Sequence, residues 1–416
     1  PTSLRIVNWI KFDLRTGLMS DDARSYLFIQ TEYLYNNIEW HLLGNHVLAN
    51  AKALIFSGSF FKGPQPKKWK SKGIKIYTQQ IKDQILNDGG HFEKSPMYHS
   101  IILEDILDLI NISVKSKKLF PKEFLSQLRL TSEKMLSWLQ VMSYENHELP
   151  NFNDSTQNIS QNFHKLSKYA HRLDIKKISK SNNKKKIDVH ELESSGFVRI
   201  DQINARSFLD VGSIGASYIP GHAHADTLSF ETSFFKQRFL VNLGISTYEN
   251  SDRRLIERST SSHNTVEVNK NNSSDVWSSF RVGSRASTFN FKKNRSNKKF
   301  SVSCSHDGYN SIIKNNYHKR QWIFEQNEIT IIDEITIKKS DAVAHFILHP
   351  RIKVIEEIDT RDYVLINNNK RVKISVEEGQ GFIIEKQYAS EFGVLLDTKC
   401  ICVKLVKGKS KVILSW

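Results

Sequence analysis

Three side chains able to ligate a metal or move a proton stand two residues apart in Pro220-Gly221-His222-Ala223-His224-Ala225-Asp226-Thr227-Leu228-Ser229-Phe230-Glu231. β-Branched and aromatic residues with flanking turn signals predict a strand start here. Residues i, i+2 and i+4 of a strand share a face, so His222, His224 and Asp226 are expected to point one way, with Leu228 and Phe230 continuing that face. A further histidine follows in Ser261-Ser262-His263-Asn264-Thr265-Val266, which also reads as a strand start. Any one of these histidines alone is more often a hydrogen-bonded interior residue than a site. His-x-His-x-Asp with a partner histidine downstream reverses that balance, because a metal site or an acid/base site needs such spacing.

Two stretches nearer the N-terminus carry further candidates. Gly44-Asn45-His46 interrupts an otherwise apolar helical pattern with polar groups, near Lys52 on the expected helix surface. Ser95-Pro96-Met97-Tyr98 reads as a helix start, with serine at the N-cap and proline at the first helical position. Tyr98 then falls in the first turn of a helix running through Ile101, Ile102, Leu107 and Ile110, where the positive helix end favours a phenolate slightly. The plainer readings are a surface turn for Asn45-His46 and core packing for Tyr98.

The elements that must position these groups fall into two classes. From Leu4 to about Leu173 apolar residues recur at three to four, as in Ile38, Leu42/Leu43, Val47, Ala51 and Leu54/Ile55. About seven helices are expected, broken near Gly17, Gly58 to Pro66, Asp88-Gly89-Gly90, Phe120-Pro121 and Leu149-Pro150. Helical hairpins in series suggest an (α/α) toroid, and the odd count with a start at Pro1 fits one that lacks its first helices. Lys176 to Asp188 is rich in Lys, Ser and Asn and marks a linker. Beyond it the period changes to short β-rich runs such as Phe197-Val198-Arg199-Ile200, Trp322-Ile323-Phe324 and Val412-Ile413-Leu414, which argue for a large antiparallel β-sandwich. The expected class is therefore α+β with two domains: a helical toroid over 1–175, a basic linker over 176–190 and a β-sandwich over 191–416, with a cleft between the domains.

Composition narrows the partners. The 60 Lys+Arg outnumber the 44 Asp+Glu, and the resulting +16 favours a polyanion such as nucleic acid, an anionic membrane or an acidic polysaccharide. No zinc-finger spacing, RRM motif or P-loop supports nucleic acid, and no apolar run is long enough for a membrane span. Cys304, Cys400 and Cys402 give neither a disulfide framework nor a Cys-x-x-Cys metal knuckle. The chain opens at Pro1 without an initiator Met or apolar leader, so any signal peptide lies outside these residues. The oligomeric state is not legible.

Gly221-His222-Ala223-His224-Ala225-Asp226, Leu240-Val241-Asn242-Leu243-Gly244 and Ser262-His263-Asn264-Thr265-Val266 together resemble the β-domain signature of the heparinase II/III-like polysaccharide lyases. The likeness extends to Asn45-His46 and Ser95-Pro96-Met97-Tyr98-His99. It implies that Asn45 and His46 neutralise a substrate carboxylate, that Tyr98 and His222 are the catalytic pair, and that Tyr248 is a second catalytic tyrosine. It implies His224 and His263 as ligands of a divalent metal, taken as structural zinc, with Asn242 where the family usually has aspartate. A neutral amide is a poorer zinc ligand than a carboxylate. Leu4-Arg5-Ile6-Val7-Asn8-Trp9 is similar to a cleft-lining helix start, giving Arg5, Asn8 and Trp9 as substrate-binding candidates. Asn153-Asp154-Ser155 is similar to a polar turn of the family. Trp277-Ser278-Ser279-Phe280-Arg281 adds Arg281, whose guanidinium could hold sugar carboxylates or sulfates. A bacterial periplasmic or secreted setting is implied as well.

Cleavage of a uronate polymer without water has defined needs. The C5 proton is acidic only because it lies α to the carboxylate, so that group must be neutralised as charge builds on it. A base takes the proton and an acid protonates the leaving oxygen. A neutral His222 suits the base. Tyr98 as acid needs no pKa change, whereas ionising it near pH 7 costs on the order of 4 kcal/mol. Two other classes compete. A protein of the same fold that only binds acidic polysaccharide would release no product, and a hydrolase would need paired carboxylates, for which only Asp226 and Glu231 offer themselves.

Overall fold

The computed structural model describes residues 1–114, 116, 118–176, 186–357 and 362–416 of the chain. Its helices are α1 (Thr2–Thr16), α2 (Asp21–Asn36), α3 (Gly44–Phe60), α4 (Pro64–Gln84), α5 (Pro96–Ser113), α6 (Lys122–Val141), α7 (Phe163–Arg172) and α8 (Asp252–Arg258). The strands are β1 (Asp188–Leu192), β2 (Phe197–Gln202), β3 (Ala205–Asp210), β4 (Phe230–Phe234), β5 (Gln237–Leu240), β6 (Val266–Val268), β7 (Val276–Trp277), β8 (Arg281–Val282), β9 (Thr288–Arg295) and β10 (Phe300–His306). They continue with β11 (His318–Glu325), β12 (Glu328–Ile335), β13 (Ala342–Ile347), β14 (Lys353–Glu357), β15 (Asp362–Asn367), β16 (Lys370–Glu378), β17 (Gln380–Glu391), β18 (Val394–Lys404) and β19 (Lys409–Ser415).

Helices followed by antiparallel sheets is the order the change of period foretells, and the helices α1 to α7 are consistent with an (α/α) toroid. The division into compact units is less simple than one cut at a linker. Pro1–Phe92, Tyr98–Trp138 and Phe163–Ser179 form the helical unit, while Glu93–Met97 and Leu139–Asn162 cluster with Lys180–Trp416. Those two inserted segments hydrogen-bond to the β-rich chain, which a count of hydrophobic periods does not register. Of the expected linker 176–190, residues 177–185 lie outside the described residues, and 188–190 are not linker but the start of β1, paired with β2. Among the described residues no helix is long and apolar enough to cross a membrane.

In the helical unit, local signals set the helix ends. Ser20 caps α2 by accepting from the Ala23 N–H, with Asp21 and Asp22 at the positive end, and α1 stops at Gly17 with φ 66°. α3 and α4 pack closely through glycines: a Cβ on Gly58 would lie 2.5 Å from Pro66 O, and one on Gly73 2.8 Å from Ala51 O. Asn45 and His46 do not interrupt a helix; they lie in the first turn of α3, which begins at Gly44 after Leu43 at φ 54°. Lys52 is not on the surface either. It is buried, with Nζ 2.6 Å from both Asp105 and Asp108 of α5, and Lys11 and Tyr169 also reach Asp108.

The β-rich unit contains an eight-stranded sheet in the order β14-β15-β16-β19-β12-β11-β10-β9, a five-stranded sheet β1 to β5, a four-stranded sheet β17-β18-β13-β6 and the ribbon β7-β8. The strand pairings among the described residues are antiparallel. Alternation along β11 and β12 buries Trp322, Phe324, Ile329 and Ile331, which join Ile200, Phe230, Phe346 and Ile401 of the other two large sheets in one core. Within it Arg320 and Asp333 face each other across β11 and β12 and pair through two hydrogen bonds of 2.7 and 2.9 Å.

Candidate active site

The histidine segment is not a strand. β4 begins only at Phe230, and residues 220–229 form an irregular loop with Leu228 at φ 61°. Three side chains hold it where a ladder would otherwise do so. Arg258 of α8 donates to Ala223 O and to the 278 and 281 carbonyls, Arg320 donates to Leu228 O, and Asn153 Oδ1 accepts from His224 N–H. His263 likewise precedes β6, at the end of a 3-10 turn over Thr260–Ser262, and Arg320 also reaches Asn264 O. The expected sharing of a strand face is thus replaced by convergence of loops on buried guanidinium groups.

Asp154 organises what these loops present. Its Oδ2 lies 2.7 Å from His222 Nδ1 and its Oδ1 2.8 Å from His224 Nε2, while Arg254 of α8 closes on both oxygens at 2.6 and 2.8 Å. Burial would raise the Asp154 carboxyl, but Arg254 and the two imidazoles hold it well below the usual range. An ionised carboxylate only accepts, so His222 carries a proton on Nδ1. Burial opposes a charged His222, yet Glu93, 3.8 Å from Nε2, and Asp154 together raise its pKa. The ring is 12% exposed and neighbours Tyr248 at 6.2 Å and Phe280 at 5.9 Å between centroids, with the Arg254 guanidinium over both aromatic rings. Tyr248 therefore does fall beside His222.

His224 and His263 face each other with Nδ1 and Nε2 3.1 Å apart. His224 Nε2 must donate to Asp154, and His263 Nδ1 must donate to Ser259 O at 2.7 Å, so the facing nitrogens both carry lone pairs when the rings are neutral. Burial lowers His224 to about 4 and holds His263 well below its ordinary value, so both rings are neutral near pH 7. Two buried lone pairs in this relation fit a bound cation. Asn242 offers less: its Oδ1 accepts from Asn264 N–H and, among the described residues, its Nδ2 is buried without a hydrogen-bond partner.

Asp226 and Glu231, the two carboxylates offered for hydrolysis, are held by different groups. Glu231 is fully buried and accepts from Tyr144, Arg238 and the Asn151 and Asn242 N–H groups, and Asp226, pushed up to about 7 by burial, accepts from Asn153 N–H. In the helical unit, Tyr98 is half-buried in the first turn of α5. His99 beside it is buried, stacked on Trp138, and lowered to about 3 by burial, which makes it a neutral packing residue. His46 Nδ1 lies 3.5 Å from Glu39, and Arg5, Asn8 and Trp9 share an exposed face of α1, where Arg5 donates to Gln30. Arg281 is exposed on β8.

In the sequence Asp154 reads only as part of a polar turn, and Arg254, Arg258 and Glu93 do not stand out. The i, i+4 spacing of two arginines in Asp252–Arg258 was the available signal, because it puts both on one side of a helical turn.

Comparison with known proteins agrees with this architecture. Residues 19–176 match the family described as Heparinase II/III N-terminus, and 184–416 match Heparinase II/III-like, C-terminal. A heparin-sulfate lyase of Bacteroides stercoris is 26% identical over 299 residues, covering 64% of this chain and 44% of that protein. One from Pedobacter heparinus is 32% identical over 115 residues, covering 27% of this chain and 17% of that protein. The chain thus spans less than half the length of these curated relatives. A crystal structure of heparinase III superposes with a TM-score of 0.77 at 18% identity, covering 99% of this chain and 68% of that one. A heparan sulfate lyase structure from Pedobacter heparinus gives 0.68 at 18% identity, covering 95% and 63%. With both family regions matched across nearly the whole chain, it belongs to the heparinase II/III-like family.

Proposed function

We propose that this chain carries the chemistry of a polysaccharide lyase that cleaves a uronic-acid-containing polymer by β-elimination. The observation that carries the reading is the Asp154–His222 pair, which fixes the imidazole with a proton on Nδ1 and a lone pair on Nε2. His222 Nε2 takes the C5 proton, the C5 electrons form the C4–C5 double bond, and the C4–O bond breaks. Tyr98 returns a proton to the departing oxygen. Asp154 and Glu93 stabilise the imidazolium that forms, as an orienting carboxylate does in other acid/base sites. Asn45 and His46 neutralise the uronate carboxylate as charge develops on it, and Tyr248, beside His222, serves as a second proton-transfer group. Arg5, Asn8, Trp9 and Arg281 bind neighbouring sugars.

A divalent cation, zinc by preference, would be held by His224 and His263, with Asn242 a weak third ligand at most. Its contribution when bound is to lock two loops together beside His222. The names of the relatives point to heparan sulfate or heparin as the polymer, and the +16 charge suits such a polyanion. A bacterial periplasmic or secreted setting accords with such a substrate. Screening heparan sulfate, heparin, chondroitin sulfate, hyaluronan and alginate for ultraviolet-absorbing products tests the reading. Absorbance that grows with one of them and is lost in His222→Ala supports it. Reducing ends without absorbance would mean hydrolysis, and binding without products would mean a carbohydrate-binding protein.

A further inference from the structure

We propose a second metal site, distinct from the His224/His263 pair, formed by His345, Cys400 and Cys402 and taking zinc or a comparable thiophilic cation. The register of the four-stranded sheet builds it. β13 and β18 are antiparallel with His345 opposite Cys402 and Ile347 opposite Cys400. Cys400 and Cys402 are two residues apart on one strand and so share a face, and His345 stands across from one and diagonal to the other. All three are buried, and among the described residues they are the group of His, Cys, Asp and Glu side chains whose donor atoms fall together within 4.8 Å.

The spacing of the donors matches a coordination sphere. Cys400 Sγ and Cys402 Sγ are 3.7 Å apart, and His345 Nδ1 lies 3.8 Å from the first and 3.5 Å from the second. With Zn–S of about 2.3 Å and Zn–N of about 2.0–2.1 Å, the edges of a tetrahedron are about 3.8 Å for S···S and about 3.6 Å for S···N. The same sulfur separation is far too long for a disulfide, which holds the sulfurs at about 2.05 Å.

The imidazole gives a second, independent pointer. His345 is 4% exposed and, among the described residues, its Nε2 is buried without a hydrogen-bond partner, while its Nδ1 faces two sulfurs, which are weak partners. A buried ring left so poorly satisfied is unusual unless a ligand completes it. Across from Nε2, Glu267 of β6 places a carboxylate oxygen at 3.9 Å, on the side of the ring where metal-bound histidines receive their orienting carboxylate. Two thiolates and one divalent cation are neutral together, which removes the cost of burying separate charges. Cys400 and Cys402 also pack on Val241 and Leu243, so the cation would staple β13 to β18 behind the segment that carries Asn242.

Cobalt loading of the demetallated full chain tests it. A cobalt–thiolate charge-transfer band in the near ultraviolet, saturating at one equivalent and retained in His224→Ala, is the expected result, since the other candidate site has no sulfur. Cys402→Ser should weaken the band and His345→Gln should lower the cobalt affinity at least tenfold. Elemental analysis of unsupplemented protein should find zinc that a mercurial thiol reagent releases. Bound cobalt without the thiolate band in the wild type, or a Cys400–Cys402 disulfide in the mass of the unreduced protein, would overturn the proposal whether or not the variants fold.

Discussion

Asp154 Oδ2 meets His222 Nδ1 at 2.7 Å, and that contact determines which nitrogen of the histidine carries its proton. The same carboxylate is clamped by Arg254 on both oxygens, so the fold itself fixes its charge and orientation.

Asp154→Asn is predicted to lower kcat by about 10²- to 10⁴-fold, because an amide can donate to Nδ1 and stabilise the wrong tautomer. It also leaves Arg254 buried without its counter-charge, at a cost of about 3–5 kcal/mol. The assay therefore belongs at a temperature where circular dichroism shows the variant folded, and an unchanged kcat there would remove Asp154 from the proton-transfer chain.

Tyr98→Phe keeps the ring and its packing and removes one hydroxyl. If Tyr98 is the acid, turnover on a confirmed substrate should fall ~10²-fold or more while polymer binding persists. Near wild-type turnover would leave the helical unit with a binding role only.

Part of this design is legible in the sequence. The switch of hydrophobic period separates helices from sheets, and the crowding of His222 and His224 marks the candidate site, because both depend on neighbours in the chain. Asp154 and Arg254 were not legible as partners, since they lie 100 residues apart and meet only through the fold. Strand propensity misplaced residues 220–229 because Arg258, Arg320 and Asn153 satisfy that backbone in place of a ladder. Lys52 looked like surface until Asp105 and Asp108 of α5 met it. The cysteines were passed over for lack of Cys-x-x-Cys spacing, yet Cys-x-Cys on a strand also puts two sulfurs on one face, and register adds the histidine.

Stability at low pH should report on the core pair behind the loops. Burial alone would raise the Asp333 carboxyl, but Arg320 and His318 hold it below its ordinary value. A depressed carboxyl adds stability that is complete above its unfolded pKa of about 4 and is lost as pH falls from there toward the folded value. Arg320→Met strands Asp333 and should cost about 3–5 kcal/mol. Asp333→Asn should flatten the fall in denaturation midpoint between pH 5 and pH 2, at about neutral-pH stability already reduced. An acid limb as steep as wild type would contradict this assignment.

The paired lone pairs of His224 and His263 predict a metal whose loss is felt as stability. Chelation should lower the thermal midpoint of the wild type by several degrees, and His224→Ala should bind one equivalent less cation by elemental analysis. An identical metal content in wild type and His224→Ala would show that these rings only hydrogen-bond.

The central claim is elimination at a uronate, and the most direct measurement counts chain ends. On the polymer that the wild-type protein degrades, each new reducing end should be matched by one new 4,5-unsaturated uronate, read by conjugated ultraviolet absorbance and by mass spectrometry in ordinary and ¹⁸O-labelled water. The account predicts a ratio of one to one with no ¹⁸O gained in the cleavage. Reducing ends that accumulate without unsaturation and carry ¹⁸O would contradict it.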